Sequence, residues 1–447
     1  MKKRLLLILI VFVYNANAQE TKQSYSFSLD QAISHALSHN YTAINAGRDI
    51  ESAKQKKWET TAMGLPQING NVNFMKNFDF TLQGVSGNAF NPNGNPDDIA
   101  LLAFGTKQTM NSSLTLSQLI FDGSYLVALQ ASKTYLKFYE NAKLKSDVEI
   151  KEMIINSYGN VLLAEESILI LEKNKATLEK TLFETKEIFK NGLIEEENVE
   201  QLQITLATIN SNLNYNKRLV DIAYKMLKIN LGIAINDDLK LTDTLDNLST
   251  SNLDMAFSQN EFKVDNTIYY QMALNFQKQR ELEYKLQKSK ALPSLMANVN
   301  FGYNAFANQF DFINANQKWN KYSNLVVGLN VPIFSSLARS SRTQQAKIAL
   351  DQAKTQLTET EQKLQLQYAN AKSDFEFSIE EYATAKTDLN LAERIEKKQQ
   401  IKFTEGLSSS FDFNEAQRQL YTAQQKYLQS MVNIITKKAS LEKVINK

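Results

Sequence analysis

The same short motif, Phe-x-x-Gly-Leu, ends a long helical pattern at two places in the chain. The first copy spans 189–193 and the second spans 403–407, so the copies lie 214 residues apart. Glycine adopts a positive φ at little steric cost, and it is the usual residue where a helix stops and the chain reverses. Each copy is therefore predicted to be the tip of a helical hairpin, at 189–193 and 403–408, and the two hairpins constrain the rest of the fold.

The helices that flank these tips are predicted to be unusually long. The run from 122 to 189 has a helical pattern without proline, and at about 1.5 Å per residue it would extend on the order of 100 Å. After the first tip, apolar residues from Val199 to Leu227 recur at alternating spacings of three and four, which is the coiled-coil period. A second long helix is predicted for 337–403 and a last one for 411–445. The chain is thus predicted to contain long coiled-coil helices.

Four shorter stretches have the period of β-strands instead. They lie at about 66–76, 112–121, 293–305 and 324–334. In the first, Ile68, Val72 and Phe74 alternate with glutamine and asparagine. Each strand is predicted to have one apolar face and one face rich in amides or hydroxyls. A transmembrane barrel and a half-buried soluble sheet both show this alternation. The Gly-, Asn- and Pro-rich stretch 84–98 is predicted to be an exposed loop.

The helix–strand–strand–helix pattern occurs twice, which indicates an internal repeat. Asn71-Val72-Asn73-Phe74 recurs at 298–301, and Ile120-Phe121 recurs at 333–334. We divide the chain accordingly into a first repeat at 19–235, a linking segment at 236–264 and a second repeat at 265–447.

The chain begins with the features of a secretory signal. Three basic residues precede an apolar run at 5–14, and Ala16-Asn17-Ala18 is a typical cleavage sequence. We predict a signal peptide at 1–18 that is cleaved after Ala18. The apolar run is too short to span a bilayer, and no later stretch has 18 consecutive apolar residues. A role in the membrane must therefore come from the strands.

The number of strands restricts how a membrane barrel could form. Four strands cannot close a barrel, since about eight is the practical minimum. A barrel therefore requires several copies: two would supply eight strands and three would supply twelve. The long helices of the same copies would then form a hollow cylinder, although a plain coiled-coil spacer has the same heptad pattern.

Composition excludes several other classes of protein. The 50 Lys and Arg residues balance 48 Asp and Glu residues, so the charge gives no sign of nucleic-acid binding. The chain has no cysteine, which excludes disulfides, thiolate metal sites and a cysteine nucleophile. His35 and His39 are four residues apart on a helix and could face one metal ion, but the sequence supplies no third ligand nearby. We therefore predict no cofactor and no enzymatic activity.

Several motifs, in this order, resemble the TolC-like outer-membrane efflux proteins. They are the opening Ser28-Leu29-Asp30-Gln31-Ala32, the Leu65-Pro66 before the first strand, Val331-Pro332-Ile333-Phe334, and the two tips. The resemblance implies a mixed α/β membrane protein: a homotrimer with a twelve-stranded barrel in the outer membrane, four strands coming from each protomer. It also implies a helical tunnel through the periplasm and an equatorial belt from 236–264.

The resemblance further implies the function of an exit duct that performs no chemistry. Such a duct conducts substrates outward from an inner-membrane pump and a periplasmic adaptor protein, in tripartite efflux or type I secretion. Two rival interpretations remain, a periplasmic coiled-coil scaffold and the adaptor subunit itself. Adaptors, however, have one hairpin flanked by small Gly-rich β domains, whereas this chain has two hairpins.

The resemblance also assigns roles to particular residues. Asp412 and Glu415 match the acidic residues that close the periplasmic end in the family, and they lie three apart on one helical face. An acidic residue favoured at a helix start by the helix dipole is the alternative for Asp412. The residues implied to contact the adaptor are those of the tips: Phe189, Gly192, Leu193, Phe403, Gly406, Leu407 and Ser408. The alternative is that the two phenylalanines only pack the hairpin ends. We also predict an outer aromatic girdle near the second loop, formed by Tyr303, Phe306, Phe310, Phe312 and Trp319.

Overall fold

The computed structural model describes residues 22–89, 92–253 and 262–446. The predicted signal peptide and its cleavage site after Ala18 lie outside these ranges. The chain divides into a helical unit (1–50, 139–274 and 356–447) and a sheet unit (51–138 and 275–355). Each unit takes residues from both predicted repeats.

Six of the eight described α-helices form pairs of nearly equal length. The eight helices are α1 (Leu29–His39), α2 (Tyr41–Ala62), α3 (Gly123–Lys190), α4 (Glu196–Leu231), α5 (Leu245–Ser251), α6 (Ile268–Ser289), α7 (Ala338–Thr404) and α8 (Ser410–Ile445). The two long helices α3 and α7 have 68 and 67 residues, and each is followed by a helix of 36 residues, α4 or α8. Both hairpins therefore have the long arm and the short arm that the sequence indicates.

The first predicted helix is divided in two at Asn40. Its start agrees with the sequence, because Ser28 and Gln31 form a capping box. At Asn40 the backbone leaves the helical region, with ψ at 137°. The Asn40 side chain donates to the Asn230 carbonyl at 2.7 Å and accepts from the Thr42 amide at 2.8 Å. These two bonds stabilise the break, which periodicity alone does not reveal.

The main sheet contains four antiparallel strands in the order β2-β5-β7-β8. The described strands are β1 (Ser24–Phe27), β2 (Gln67–Lys76), β3 (Leu82–Ser86), β4 (Ile99–Ala103), β5 (Gln108–Asp122), β6 (Asp238–Leu241), β7 (Ser294–Ala307) and β8 (Trp319–Asn330). The prediction that the last strand reaches residue 334 is wrong. Pro332 has no amide hydrogen to donate to a sheet, and the Arg339 guanidinium donates to the carbonyls of Pro332 and Ile333 at 2.7 and 3.1 Å. The chain thus leaves the sheet before α7 begins.

Two small pairs of strands lie outside this sheet. β3 and β4 form an antiparallel hairpin, so the prediction of a single loop at 84–98 is correct only for the segment between them. β1 and β6 form a parallel pair of four residues each, and the sequence did not predict either strand. Four residues are too few to establish a period of two. β3 is also short, and the Gly- and Asn-rich stretch next to it obscures its pattern.

The core of the helical unit is built around Tyr158 and Phe375, both fully buried. The Tyr158 hydroxyl donates to the Phe27 carbonyl at 3.0 Å and lies 3.1 Å from the Asp243 carboxylate. Burial raises the pKa of this phenol, so it stays protonated as a donor. The Asp243 carboxylate also accepts from the Leu29 amide at 2.7 Å, which connects the start of α1 to the segment after β6.

Among the described helices, α3 is long and apolar enough to cross a membrane by length and composition. Core helices of soluble proteins pass the same test. In α3 the residues Ile154, Tyr158 and Val161 are buried in the core of the helical unit.

Candidate functional site

Both hairpin tips have the same backbone geometry. Gly192 and Gly406 have φ values of 72° and 71°. At the first tip the Gly192 amide donates to the Phe189 carbonyl at 2.8 Å, and the Leu193 amide donates to the Ile188 carbonyl at 3.3 Å. The two equivalent bonds at the second tip have distances of 3.1 and 2.7 Å. This is the Schellman motif, in which the positive φ requires glycine.

The tip side chains differ in what they contact. Phe403 stacks on Phe413, with ring centroids 5.3 Å apart and planes at 8°, and Phe413 is fully buried in a cluster with leucines and a valine of α3 and α4. Phe403 therefore has the packing role that the sequence analysis left open. Leu193 and Leu407 are 74% and 78% exposed. Phe411 is 68% exposed as well. Phe411 was not among the predicted tip contacts, although an apolar residue in the first turn of α8 is a signal for one.

Polar contacts hold the two tips against each other. The Gln201 amide oxygen on α4 accepts from the Ser410 hydroxyl at 2.8 Å and from the Asn414 amide on α8 at 3.4 Å. Thr205 on α4 donates to the Asn414 side-chain oxygen at 3.3 Å. With the apolar cluster beside them, these bonds hold both tips in one structure within the helical unit.

Asp412 is the third residue of α8 and caps its start. Its amide donates to the Ser409 hydroxyl at 3.1 Å, while that hydroxyl donates to the Asp412 carboxylate at 2.8 Å. Ser409 thus forms a capping box with Asp412. These hydrogen bonds hold the pKa of the Asp412 carboxyl below its usual value. The carboxylate is exposed and ionised, and it has the local capping role that was the alternative.

Glu415 lies one helical turn further along α8. Its carboxylate accepts from the Arg418 guanidinium through Nε at 2.9 Å and Nη2 at 2.6 Å, and from the Gln419 amide at 3.0 Å. Arg418 lowers the pKa of Glu415 through this bidentate pair. Within one chain the charge of Glu415 is thus partly neutralised, which the sequence analysis did not anticipate.

A cavity of about 730 Å³ lies between α3, α4, α7 and α8, behind the tips. Glu396 lines it, and burial raises the pKa of its carboxyl, while a hydrogen bond from Gln417 acts in the opposite direction. Phe411, Glu415 and Tyr421 line the same space. No sequence pattern indicates this cavity, because its lining residues are far apart in the chain.

The two histidines stack on each other against β1. The rings of His35 and His39 are 4.1 Å apart and 6° from parallel, and the Phe27 ring lies 5.0 Å from His35. Burial and the neighbouring His39 lower the pKa of His35. A search of the described residues finds no group of three or more His, Asp or Glu side chains that could hold a metal ion.

The main sheet has two chemically distinct faces. One row of paired residues contains Ile68, Leu116, Val299 and Leu325, which are 66, 36, 45 and 65% exposed. The next row, on the other face, contains Asn69, Thr115, Asn300 and Asn324. A soluble sheet buries its apolar face, whereas here that face is exposed. β2 and β8 are the outer strands, and each is paired on one side only among the described residues.

Most of the predicted aromatic girdle lies on or near the apolar face. Phe310 and Phe312 pack edge-on against Phe74, with centroids 5.6 and 5.8 Å away. Phe306 differs, because it pairs with Thr109 in a row of the polar face. Its inclusion in an outer girdle is therefore wrong, since side chains alternate between the two faces of a strand.

Comparisons with known proteins agree with this architecture. Residues 271–447 match the model of the family described as outer membrane efflux protein. Among solved structures, CusC superposes with a TM-score of 0.74 and 15% identity over 96% of this chain and 95% of that one. The outer membrane protein VceC of Vibrio cholerae superposes with 0.71 and 14% identity over 94% and 96%. The CmeC outer membrane channel of Campylobacter jejuni gives 0.72 and 17% over 96% and 90%.

A search among curated protein sequences finds no significant match. The structural matches show the fold of the chain over nearly its whole length, and the family model covers most of the second predicted repeat. The resemblance to TolC-like outer-membrane efflux proteins is thereby confirmed: residues 271–447 match the outer membrane efflux protein family model, and the chain shares the fold of these solved structures.

Proposed function

We propose that the protein is an outer-membrane channel, the exit duct of a tripartite efflux or type I secretion system. It conducts solutes passively from the periplasm to the exterior and carries out no chemistry. The observation that carries this proposal is the four-stranded sheet, with an exposed apolar face, an amide-rich face and two unpaired edges. In a single chain this sheet would expose its apolar face to water, whereas in a barrel the same face would contact lipid.

The strand directions support closure by further copies. All neighbours in the sheet are antiparallel, so β2 and β8 of one chain run in opposite directions. The β8 edge of one copy can therefore pair antiparallel with the β2 edge of the next, copy after copy. Pairing of this kind satisfies the free backbone groups, as a bilayer requires. The apolar face then contacts lipid and the amide face lines water.

The number of copies follows from the width of the bore together with the family resemblance. An eight-stranded barrel is just wide enough for its own side chains to fill it. Two copies would therefore leave little room for a solute, whereas three copies give twelve strands. We propose a homotrimer of this kind, in which the two halves of each chain are structural repeats and the helices form a periplasmic tunnel. The signal peptide at 1–18 would direct the chain to the envelope and be removed after Ala18.

The tips are the proposed docking site for a periplasmic adaptor that works with an inner-membrane pump. Leu193 and Leu407 are exposed apolar side chains on rigid Schellman turns. Phe189, Gly192, Phe403, Gly406 and Ser408 shape the same surface. Asp412 and Glu415 are the proposed periplasmic gate, where a trimer would bring six carboxylates together. Such a ring would attract cations and oppose close approach of the helices.

Two measurements on the purified mature protein test this function. Its mass in detergent should correspond to three chains, and a planar lipid bilayer should show discrete conductance steps. Extraction of the cell envelope with salt and alkali should leave the protein in the outer-membrane fraction. A monomer that alkali releases from the membrane would contradict the channel and favour the periplasmic scaffold.

A further inference from the structure

From the row of Ser117 to the row of Thr109, the polar face of the main sheet carries no charged side chain. The four strands contain three charged residues, Lys76, Asp122 and Lys321. Lys76 follows Phe74 by two residues, and Lys321 pairs with Tyr303, so both lysines lie on the apolar face. Asp122 pairs with Ser294 in the terminal row of the polar face, beyond the row of Ser117, and its carboxylate accepts from the Ser124 amide at 2.6 Å, at the start of α3.

Each lysine on the apolar face lies beside an aromatic ring. The Lys76 ammonium is 5.2 Å from the centroid of Phe78, and the Lys321 ammonium is 5.1 Å from that of Phe301. A lysine in this setting extends its charge toward the membrane surface while its stem covers apolar surface. Neither cation therefore contributes a charge to the polar face.

The neutral groups of the polar face bond to one another across the strands. Thr115 donates to the Asn300 side-chain oxygen at 2.8 Å, and the Asn300 amide donates to Asn324, also at 2.8 Å. The Asn111 amide donates to the Tyr322 hydroxyl at 3.1 Å and to the side chain of Asn304. Three of these bonds run within a row, and the bond from Asn111 to Tyr322 joins two neighbouring rows, so these side chains form a layer of uncharged donors and acceptors.

The end of this face nearest the loops is uncharged too. The row that contains Thr109 places Met75 and Phe306 on the polar side, and both are about half exposed, at 54% and 51%. An apolar edge follows the amide layer at the loop end. From the row of Ser117 to the row of Thr109, the face thus changes from hydrogen-bonding to apolar without passing a charge.

We infer that the barrel bore does not discriminate between solutes by the sign of their charge. The inference rests on the proposed function, in which the polar face lines the bore. Rings of charged side chains give a pore its preference for cations or anions, and a fixed charge in a narrow aqueous path raises the local concentration of counter-ions by roughly tenfold or more. A wall of amides and hydroxyls lacks this effect. The bore accordingly accepts cationic, anionic and neutral hydrogen-bonding solutes alike, and charge selection is left to other parts of the path, such as Asp412 and Glu415.

The absence of cysteine from the chain makes a direct test available. Single cysteines are placed on the polar face of β5, as Thr109→Cys near the loops and Ser117→Cys near α3. A cationic and an anionic methanethiosulfonate reagent of similar size are added from outside to the full-length protein in outer-membrane vesicles. The ratio of the two modification rates is measured at each depth. This readout does not depend on whether the periplasmic gate is open.

We expect the cation-to-anion ratio to be the same at both depths, within about twofold. A ratio that changes tenfold or more between Thr109→Cys and Ser117→Cys would overturn the inference, since it would require a fixed charge in the bore. As a control, Asn304→Asp introduces one carboxylate in a row between the two cysteines. It should raise the ratio at Ser117→Cys, and no change would also overturn the inference.

Ser112→Cys separates this inference from the proposed function. Ser112 neighbours Ser113 on β5 but lies on the apolar face, opposite Val72. In a barrel its cysteine faces lipid and should react far more slowly than either cysteine of the polar face. If instead Ser112→Cys reacts while Thr109→Cys and Ser117→Cys do not, the polar face does not line water, and the proposed function fails together with the inference.

Discussion

At the scale of single residues, the packing of the polar face requires a residue without a side chain at Gly302. A Cβ added to Gly302 would lie 2.7 Å from the Ser112 carbonyl oxygen and 2.7 Å from the Tyr322 ring and hydroxyl. Tyr322 therefore crosses the sheet over Gly302, and from there its hydroxyl accepts a bond from Asn111. The glycine is needed because of this close approach, not because of its backbone angles.

Substitution of this glycine should therefore weaken the sheet. Gly302→Ala forces Tyr322 or the backbone of β5 to move, and overpacking of this kind costs about 1–3 kcal/mol. We expect a lower unfolding temperature of the purified assembly. Gly328→Ala is the matched control. Gly328 is on β8, on the same face of the sheet as Gly302, and no atom lies within 4 Å of an added Cβ there. Equal melting temperatures for the two variants would contradict the role given to Tyr322.

The residues at the tips show what sequence can and cannot predict at this scale. The positive φ of Gly192 and Gly406 follows from the motif, because the turn requires glycine. The bond between Ser409 and Asp412 can be predicted as well, because a serine and an acidic residue three positions apart form a capping pattern. The pairing of Glu415 with Arg418 rather than with solvent depends on which rotamers the helix surface permits. The assignment of both carboxylates to a gate came from family resemblance and stays a prediction.

At the scale of elements, length decided which predictions succeeded. The long helices and the four strands of the main sheet repeat their period many times, so their patterns are clear. β1 and β6 have four residues each and pair across more than 200 residues of sequence, so no local pattern predicts them. The break at Asn40 and the early end of β8 depend on side chains that reach distant or preceding backbone groups. These contacts exist only in the folded chain.

The two faces of β8 give a prediction for neighbouring positions in one strand. Leu325 belongs to the apolar row with Val299, and Asn324 belongs to the polar row with Asn300. Leu325→Lys should impair assembly in the outer membrane, because a lysine on the lipid face near the bilayer midplane costs about 2–4 kcal/mol. Asn324→Lys should be tolerated, since it faces water in the bore.

The test compares the heat-resistant oligomer of the two variants by gel electrophoresis of outer-membrane fractions. Both substitutions introduce the same side chain one residue apart, so a general effect of lysine on β8 would reduce assembly equally. Equal loss in the two variants would therefore contradict the assignment of the faces.

At the scale of the whole molecule, a single chain leaves its sheet incomplete. Among the described residues, β2 and β8 are each paired on one side only and the apolar face is exposed, and pairing with further copies would satisfy both. Neither four strands nor one pair of hairpins encloses a solute. In the proposed trimer, residues at equivalent positions of the three copies would act together. Asp412 and Glu415 are an example, because each has hydrogen-bond partners within its own chain, yet a ring of copies would multiply its charge.

The proposed gate leads to a prediction on the assembled channel. Asp412→Asn with Glu415→Gln removes all six carboxylates of a trimer and keeps the shape of both side chains. We expect divalent and trivalent cations, added from the periplasmic side, to block conductance less effectively. The concentration for half-block should rise about tenfold or more, corresponding to at least about 1.4 kcal/mol of binding free energy. Glu196→Gln with Glu197→Gln is the control, because these exposed acids begin α4 at the first tip. Block that stays unchanged in the Asp412 and Glu415 variant, or that falls equally in the control, would mean that these carboxylates do not form the constriction.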